Sequence, residues 1–316
     1  MEVCIIGVGP LGQRHAEGVL RSGSCNNLTI LDPSSEALSQ TSTFLGQFPE
    51  NGLVLNKKIK YIQKYEQLML NYDVVIIATT AQHRLSAIET FLKHSNTGFL
   101  LLEKLLFPEE GEYLKASKIF LNKNIDVRVN TSRRMWSGYN SLRRRLSAES
   151  ITEFCVSGSN WGMGTSAIHF MDLFQFLANG LPIETLQFKN CVTRENTRRL
   201  GSYEIFGKLK GTLKNGIRFS ISSRDEPTEN FLVDIKTHKG SIQVNEIENK
   251  VYYFEEKMYQ KDFKVAYVSE TTAAIINKLS NNVEIKLTKF SESSAQHLSL
   301  LRVINSLDSE VMRALT

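Results

Sequence analysis

Cysteine is scarce and scattered. The chain has four, Cys4, Cys25, Cys155 and Cys191; no two form a CxxC pair, and no histidine stands beside them at zinc-finger spacing. That pattern excludes a disulfide framework or a zinc ribbon. It fits reduced thiols in a reducing compartment, with no metal site expected. Long apolar runs are also missing. Residues 3–8 are too few for the core of a secretory signal, and runs such as 74–78 are strand-sized. Neither a signal peptide nor a membrane span is expected, so the expected location is cytoplasmic. A strong charge of one sign is absent as well: the net charge is +5, too small and too dispersed for a nucleic-acid partner. No internal repeat or low-complexity tract is present.

What remains is globular. The chain has 316 residues, 41% of them hydrophobic and 22% charged. That is too long for one ordinary core and suits two domains. The opening, Glu2-Val3-Cys4-Ile5-Ile6-Gly7-Val8-Gly9-Pro10-Leu11-Gly12, runs from a β-branched apolar strand into glycines and then into a helix through Leu20. Gly7 would allow the tight turn, Gly9 would let the backbone approach a pyrophosphate, and Gly12 would let the helix pack closely. Pro10 suits the first helical position, and Leu11 completes the turn. The free N–H groups at that helix start favour phosphate. The next apolar run, 28–31, ends at Asp32, 20 residues past Gly12, where a carboxylate can bond the adenosine ribose hydroxyls.

Alternation continues. Strands are predicted at 58–62, 73–78, 98–103 and 125–129, with helices at 87–94 and 113–121. This pattern predicts a Rossmann-type, doubly wound parallel sheet, an NAD(P)-binding domain over 1–122. Such sheets bind ligands at the carboxyl ends of their strands. The candidate cofactor residues are therefore Gly7, Gly9, Pro10, Leu11, Gly12, Asp32, Thr79, Thr80, His83 and Glu103.

The pattern then changes. A basic helix is predicted at 139–146, a strand at 151–157 and a helix at 165–177. Strands follow at 202–212, 217–223, 231–236, 241–244 and 251–255, with hairpin turns at Asn215-Gly216 and His238-Lys239-Gly240. This reads as an α+β domain over 123–316 with a largely antiparallel open sheet, a surface for substrate and for a homodimer or homotetramer. A last helix at 295–307 is expected to pack back on the first domain.

The order of these features resembles the glucose–fructose oxidoreductase, inositol dehydrogenase and MocA family across nearly the whole chain. The resemblance rests on Gly7 to Gly12 with Arg14-His15, on His83, on the pair Glu103-Lys104, and on His169-Phe170-Met171-Asp172. It implies that Lys104 and His169 flank a substrate hydroxyl and are catalytic, with His83 and His15 lining or buttressing the cofactor cleft. Two positions depart from the family pattern. Leu105 replaces a proline after Lys104, removing proline-imposed geometry such as a cis bond. Thr165 stands where many members carry an acid four residues before the histidine, and a hydroxyl cannot take the charged role. Asp172 is expected either to orient His169 or to bridge structure.

The residue types suit alcohol oxidation. A histidine takes the proton, a lysine stabilises developing negative charge, and NAD, or NADP, takes the hydride. Asn130, Arg133, Trp161 and Thr165 join Lys104 and His169 as candidate substrate residues. The implied activity is that of a sugar, nucleotide-sugar or polyol dehydrogenase or reductase, with a role in bacterial surface polysaccharide synthesis. The alternatives are a non-catalytic cofactor-binding regulator and a redox-neutral, NAD-dependent glycosidase or epimerase. Asp32 predicts the cofactor: its carboxylate repels a 2′-phosphate and accepts bonds from free ribose hydroxyls. NADH is expected to bind more tightly than NADPH when both are titrated under one set of conditions, and the reverse order would remove Asp32 from that role.

Overall fold

The computed structural model describes residues 1–48, 58–146, 150–195, 203–226 and 230–307. The chain forms two compact units, Met1–Ser132 with Ala266–Ser291, and Arg133–Val265 with Glu292–Thr316. The division expected at 122/123 thus falls at 132/133, because the chain after residue 122 still supplies a strand to the first sheet.

In the first unit the elements are β1 (Glu2–Ile6), α1 (Pro10–Arg21), β2 (Asn27–Leu31), α2 (Ser35–Gly46), β3 (Lys58–Ile62), β4 (Asn71–Tyr72), β5 (Val74–Ile77), α3 (Ala81–His94), β6 (Asn96–Thr97), β7 (Phe99–Leu102), α4 (Glu110–Asn122) and β8 (Asp126–Val129). The second unit contributes α5 (Ser137–Arg145), β9 (Ile151–Ser159), α6 (Met163–Leu177), β10 (Ile183–Glu195), β11 (Tyr203–Leu213), β12 (Arg218–Arg224), β13 (Asn230–Thr237), β14 (Gly240–Asn245), β15 (Lys250–Phe254) and β16 (Met258–Asp262). The chain then adds α7 (Val268–Ser280) and β17 (Thr288–Lys289) to the first unit, and α8 (Phe290–Asn305) begins at its edge.

The first sheet has the order β17-β8-β7-β5-β1-β2-β3. All its pairs are parallel except β17 with β8. β5 and β7 are buried along their whole length, as strands covered by helices on both faces must be. The order runs outward in both directions from β1 and β5, so the switch point lies between them.

α3 starts at Ala81, six residues before the predicted start. Its first turn carries Gln82, His83 and Arg84, which mask the apolar period. α7 was not anticipated, because the face it buries is Ser269, Thr271 and Thr272 together with Ile275 and Ile276. It packs on α1 at Gly18, where an added Cβ would stand 2.5 Å from the Ser269 carbonyl oxygen. The segment 266–291 belongs to the first unit, while the last helix begins there at Phe290 and continues into the second.

The second sheet has the order β10-β11-β12-β9-β13-β14-β15-β16, antiparallel throughout except for β12 with β9. Both predicted hairpins are present. Gly216 has φ +86° between β11 and β12, and Thr237 pairs with Gly240 between β13 and β14. Ser202, the predicted start of one strand, lies outside the described residues. β10 and β16 were missed; both are edge strands with little buried surface and so lack a clean alternation. α6 packs on one face, stacking Phe174 on Phe154 with ring centroids 4.6 Å apart. The opposite face has a polar central row in register, Lys210, Ser220, Cys155, Asp234 and Gln243, with a Lys236–Glu153 ion pair at 2.7 Å. No helix among the described residues is long and apolar enough to cross a membrane.

Candidate functional site

The glycine turn follows directly from β1. Gly7 has φ +88°, and a Cβ there would come within 2.9 Å of the Thr79 amide nitrogen, so this position requires glycine. A Cβ on Gly12 would overlap the Gly7 carbonyl. Gly9 differs: a Cβ there meets nothing within 4 Å. Gly7 and Gly12 are therefore needed by the fold, whereas Gly9 borders open space at the switch point.

Gly9 is also the N-cap of α1. Pro10 starts that helix, no side chain caps it, and no acid lies in its first turn. α3 begins in the same way at Thr80, with no side-chain cap and no acid, and with Thr80 and His83 exposed. The other helices of this unit are treated differently. Ser34 caps α2, which carries Glu36; Glu109 and Glu112 cap α4; Glu270 bonds back to the start of α7. Two helix starts at the switch point thus keep their N–H groups and positive ends for an anionic ligand. Asp32 closes the turn from the side, accepting the Val8 N–H and the Ser34 N–H, both at 2.9 Å. A carboxylate has about four acceptor sites, so lone pairs remain on Asp32 beyond these two bonds.

Glu103, expected to hold cofactor, is buried instead. His15 Nε2 meets its Oε1 at 2.8 Å, and the Asn130 amide donates to the same oxygen. His15 Nδ1 meets Thr272 Oγ at 2.8 Å, and the Thr272 hydroxyl donates to the Val268 carbonyl. Both ring nitrogens thus face acceptors. Burial raises the Glu103 pKa, but the His15 bond and charge, the Asn130 bond and the nearby Lys104 charge outweigh it and hold the carboxyl below its ordinary value. Asn130, expected to touch substrate, is 5% exposed and donates its amide to Glu103.

Lys104 follows at the strand end, half-buried. The Lys104–Leu105 peptide is cis although no proline is present, correcting the expectation that Leu105 would abolish that geometry. The sequence offered no sign of what surrounds it. Arg84, 1% exposed, donates to the carbonyls of Leu105, Leu106 and Thr79. Burial pushes its pKa down to about 10, against the opposing charges of Glu103 and Tyr113. A single arginine ahead of the helix predicted at 87–94 gave no signal. Only the fold shows that it ties the ends of β5 and β7 together.

In the second unit, His169 and Thr165 stand four residues apart on α6, both half-buried, as is Ser166, while the rest of the stretch is buried. The Thr165 hydroxyl donates to Glu204 of β11. The other expected substrate residues are engaged elsewhere. Arg133 forks onto Glu246 at 2.8 and 2.7 Å and lies over Phe170, 4.3 Å from the ring centroid. Trp161 is 8% exposed and packs edge-on to Phe170, so it is a core aromatic and not a platform for a sugar. Asp172 bridges structure: Arg134 binds both its oxygens at 2.7 Å, and Gln296 binds one.

No family model and no curated protein sequence matches the chain. Solved structures do match its fold. A UDP-N-acetylglucosamine 3-dehydrogenase from Acidithiobacillus ferrooxidans superposes with a TM-score of 0.75 at 14% identity, over 99% of each chain. A scyllo-inositol dehydrogenase from Lactobacillus casei, with NAD(H) and scyllo-inositol bound, gives 0.67 at 13% identity over 97% of each. A biliverdin reductase from Synechocystis sp. PCC 6803, with biliverdin and NADP+, gives 0.72 at 13% identity over 96% of this chain and 98% of the other. The architecture shared with these structures is a parallel dinucleotide-type sheet followed by a largely antiparallel one.

Two outcomes follow from this geometry. Gly9→Val is expected to weaken NADH binding by about tenfold or more with little change in thermal stability, whereas Gly12→Ala destabilises the fold; fluorescence titration and melting curves separate the two. Glu103 also sets a pH dependence. Its folded pKa lies below the unfolded value of about 4.3, so its contribution is full above that value and fades as pH falls through the folded one. The stability gap between wild type and Glu103→Gln, measured by urea unfolding, should be constant near neutrality and shrink below about pH 4. A gap that widens on acidification would contradict this.

Proposed function

We propose that the chain is an NAD-dependent oxidoreductase that moves a hydride between nicotinamide and a secondary alcohol or ketone of a sugar, nucleotide sugar or polyol. The observation that carries this reading is the switch point of the first unit. Two uncapped helix starts, an open Gly9 and the Asp32 carboxylate offer the phosphate and ribose contacts a dinucleotide needs. The fold neighbours crystallised with NAD(H) or NADP+ support the same cofactor class. Bound nicotinamide supplies the hydride acceptor.

The residues of this chain supply the rest. Lys104, held at the end of β7 beside the Glu103 network, stabilises negative charge on the substrate oxygen. His169 takes the hydroxyl proton during oxidation and returns it during reduction. Thr165, one turn before it, offers its oxygen lone pairs to the substrate. Asn130, Arg133 and Trp161 hold structure. The finer proposal is a nucleotide sugar used in surface polysaccharide synthesis, in the cytoplasm, where the four free cysteines stay reduced.

Incubating the protein with NAD and a panel containing UDP-N-acetylglucosamine and scyllo-inositol, and following NADH, tests the activity. On a substrate that is turned over, His169→Asn should lower kcat by about 10²–10⁴-fold, and Lys104→Met should do similar harm while NADH affinity stays near native. Near-native turnover in His169→Asn would take that residue out of the mechanism.

A further inference from the structure

α6 starts without the features that usually finish a helix N-terminus. Its N-cap is Gly162 at φ +44°, no side chain caps it, and its first turn contains no acid. The carboxylate arrives from elsewhere in the chain. Glu204, the second residue of β11, brings its Oε1 to the Thr165 hydroxyl. A Cβ on Gly162 would overlap that same carboxylate, so the glycine makes the room Glu204 occupies. Two separate features, a hydrogen bond and a missing side chain, thus place one negative charge at the start of α6, where the helix dipole favours it.

That charge lies one turn before His169. Residues four apart on a helix are neighbours on one face, and Thr165 and His169 are both half-buried while Ala167, Ile168, Phe170 and Met171 pack into the core. The Thr165 hydroxyl has a single proton and gives it to Glu204, which fixes the direction in which its lone pairs point. Other charged groups on or against this helix, among the described residues, have partners of their own. Asp172 is held by Arg134, Arg133 by Glu246, and Arg143 lies over Phe176.

We propose that Glu204, acting through Thr165, is the carboxylate that positions His169 and favours its protonated form. This rests on the reading of His169 as the proton carrier. Glu204 is a positioning residue in this scheme. It contacts the threonine, and its negative charge stabilises the imidazolium that exists once the substrate proton has been taken.

The test needs no substrate. The His169 ring signal, assigned by its loss in His169→Asn, is titrated by NMR in wild type, Glu204→Gln and the double variant Glu204→Gln/Thr165→Asp. A carboxylate favours imidazolium, so its removal in Glu204→Gln should lower the His169 midpoint by about half to one unit. Moving the charge onto the helix in the double variant should restore it, an effect that a merely structural role for Glu204 would not produce. On any alcohol the panel turns over, Glu204→Gln should also move the pH profile of kcat in the same direction, with KM little changed. An unmoved midpoint in folded Glu204→Gln overturns the proposal whatever the turnover. A midpoint that falls and is restored, in a protein that oxidises no alcohol, upholds the coupling and overturns only the oxidoreductase reading.

Discussion

Glu103 is 3% exposed and keeps a carboxylate more acidic than usual, which burial alone would forbid. Taking such a charge out of water costs several kcal/mol unless partners replace the solvent. Here they come from four places in the chain: His15 on α1, Asn130 after β8, the Lys104 charge, and Thr272 on α7 behind the histidine. The network therefore joins the helix that begins at the glycine turn to the strand end that carries Lys104. Removing one partner would leave an uncompensated charge, so the four segments are fixed together.

The second unit uses the same device twice. Arg133 with Glu246, which also accepts the Tyr139 hydroxyl, and Arg134 with Asp172 and the more exposed Glu292, are ion pairs that lock the start of α5 onto the sheet and onto α6 and α8. They explain why arginines that look available in the sequence are not. A guanidinium placed after a sheet strand can bind a substrate anion or an internal carboxylate, and the spacing of Arg133 alone does not distinguish these. Glu246, 113 residues away, makes the difference.

Much of the first unit was legible beforehand. Gly7, Gly9 and Gly12 share one turn and Asp32 follows after one helix and one strand, and their positions depend on local backbone geometry, which short-range pattern records. The apolar strands 74–77 and 99–102 were readable for the same reason: a strand buried on both faces is apolar throughout. α7 and the start of α3 were not readable, because each buries polar side chains, and one in each, Thr272 and Arg84, has a partner far off in sequence. Arg84 is the sharpest case, since its three carbonyl acceptors come from two other strand ends.

The same division holds for the candidate site. The amino-acid sequence by itself determined the dinucleotide-type turn and the two-sheet architecture, because these depend on residues close together along the chain or on periodicity; the roles expected of Lys104 and His169 came from the family resemblance alone. Only the tertiary structure decided which charges are spent internally. It assigned Glu103 and Asn130 to a buried network, Arg133 and Asp172 to ion pairs, Trp161 to the core, and brought Glu204 to Thr165. Each of those assignments is a contact across many residues, and the energy of a buried polar group depends on its partner, which spacing in sequence does not specify.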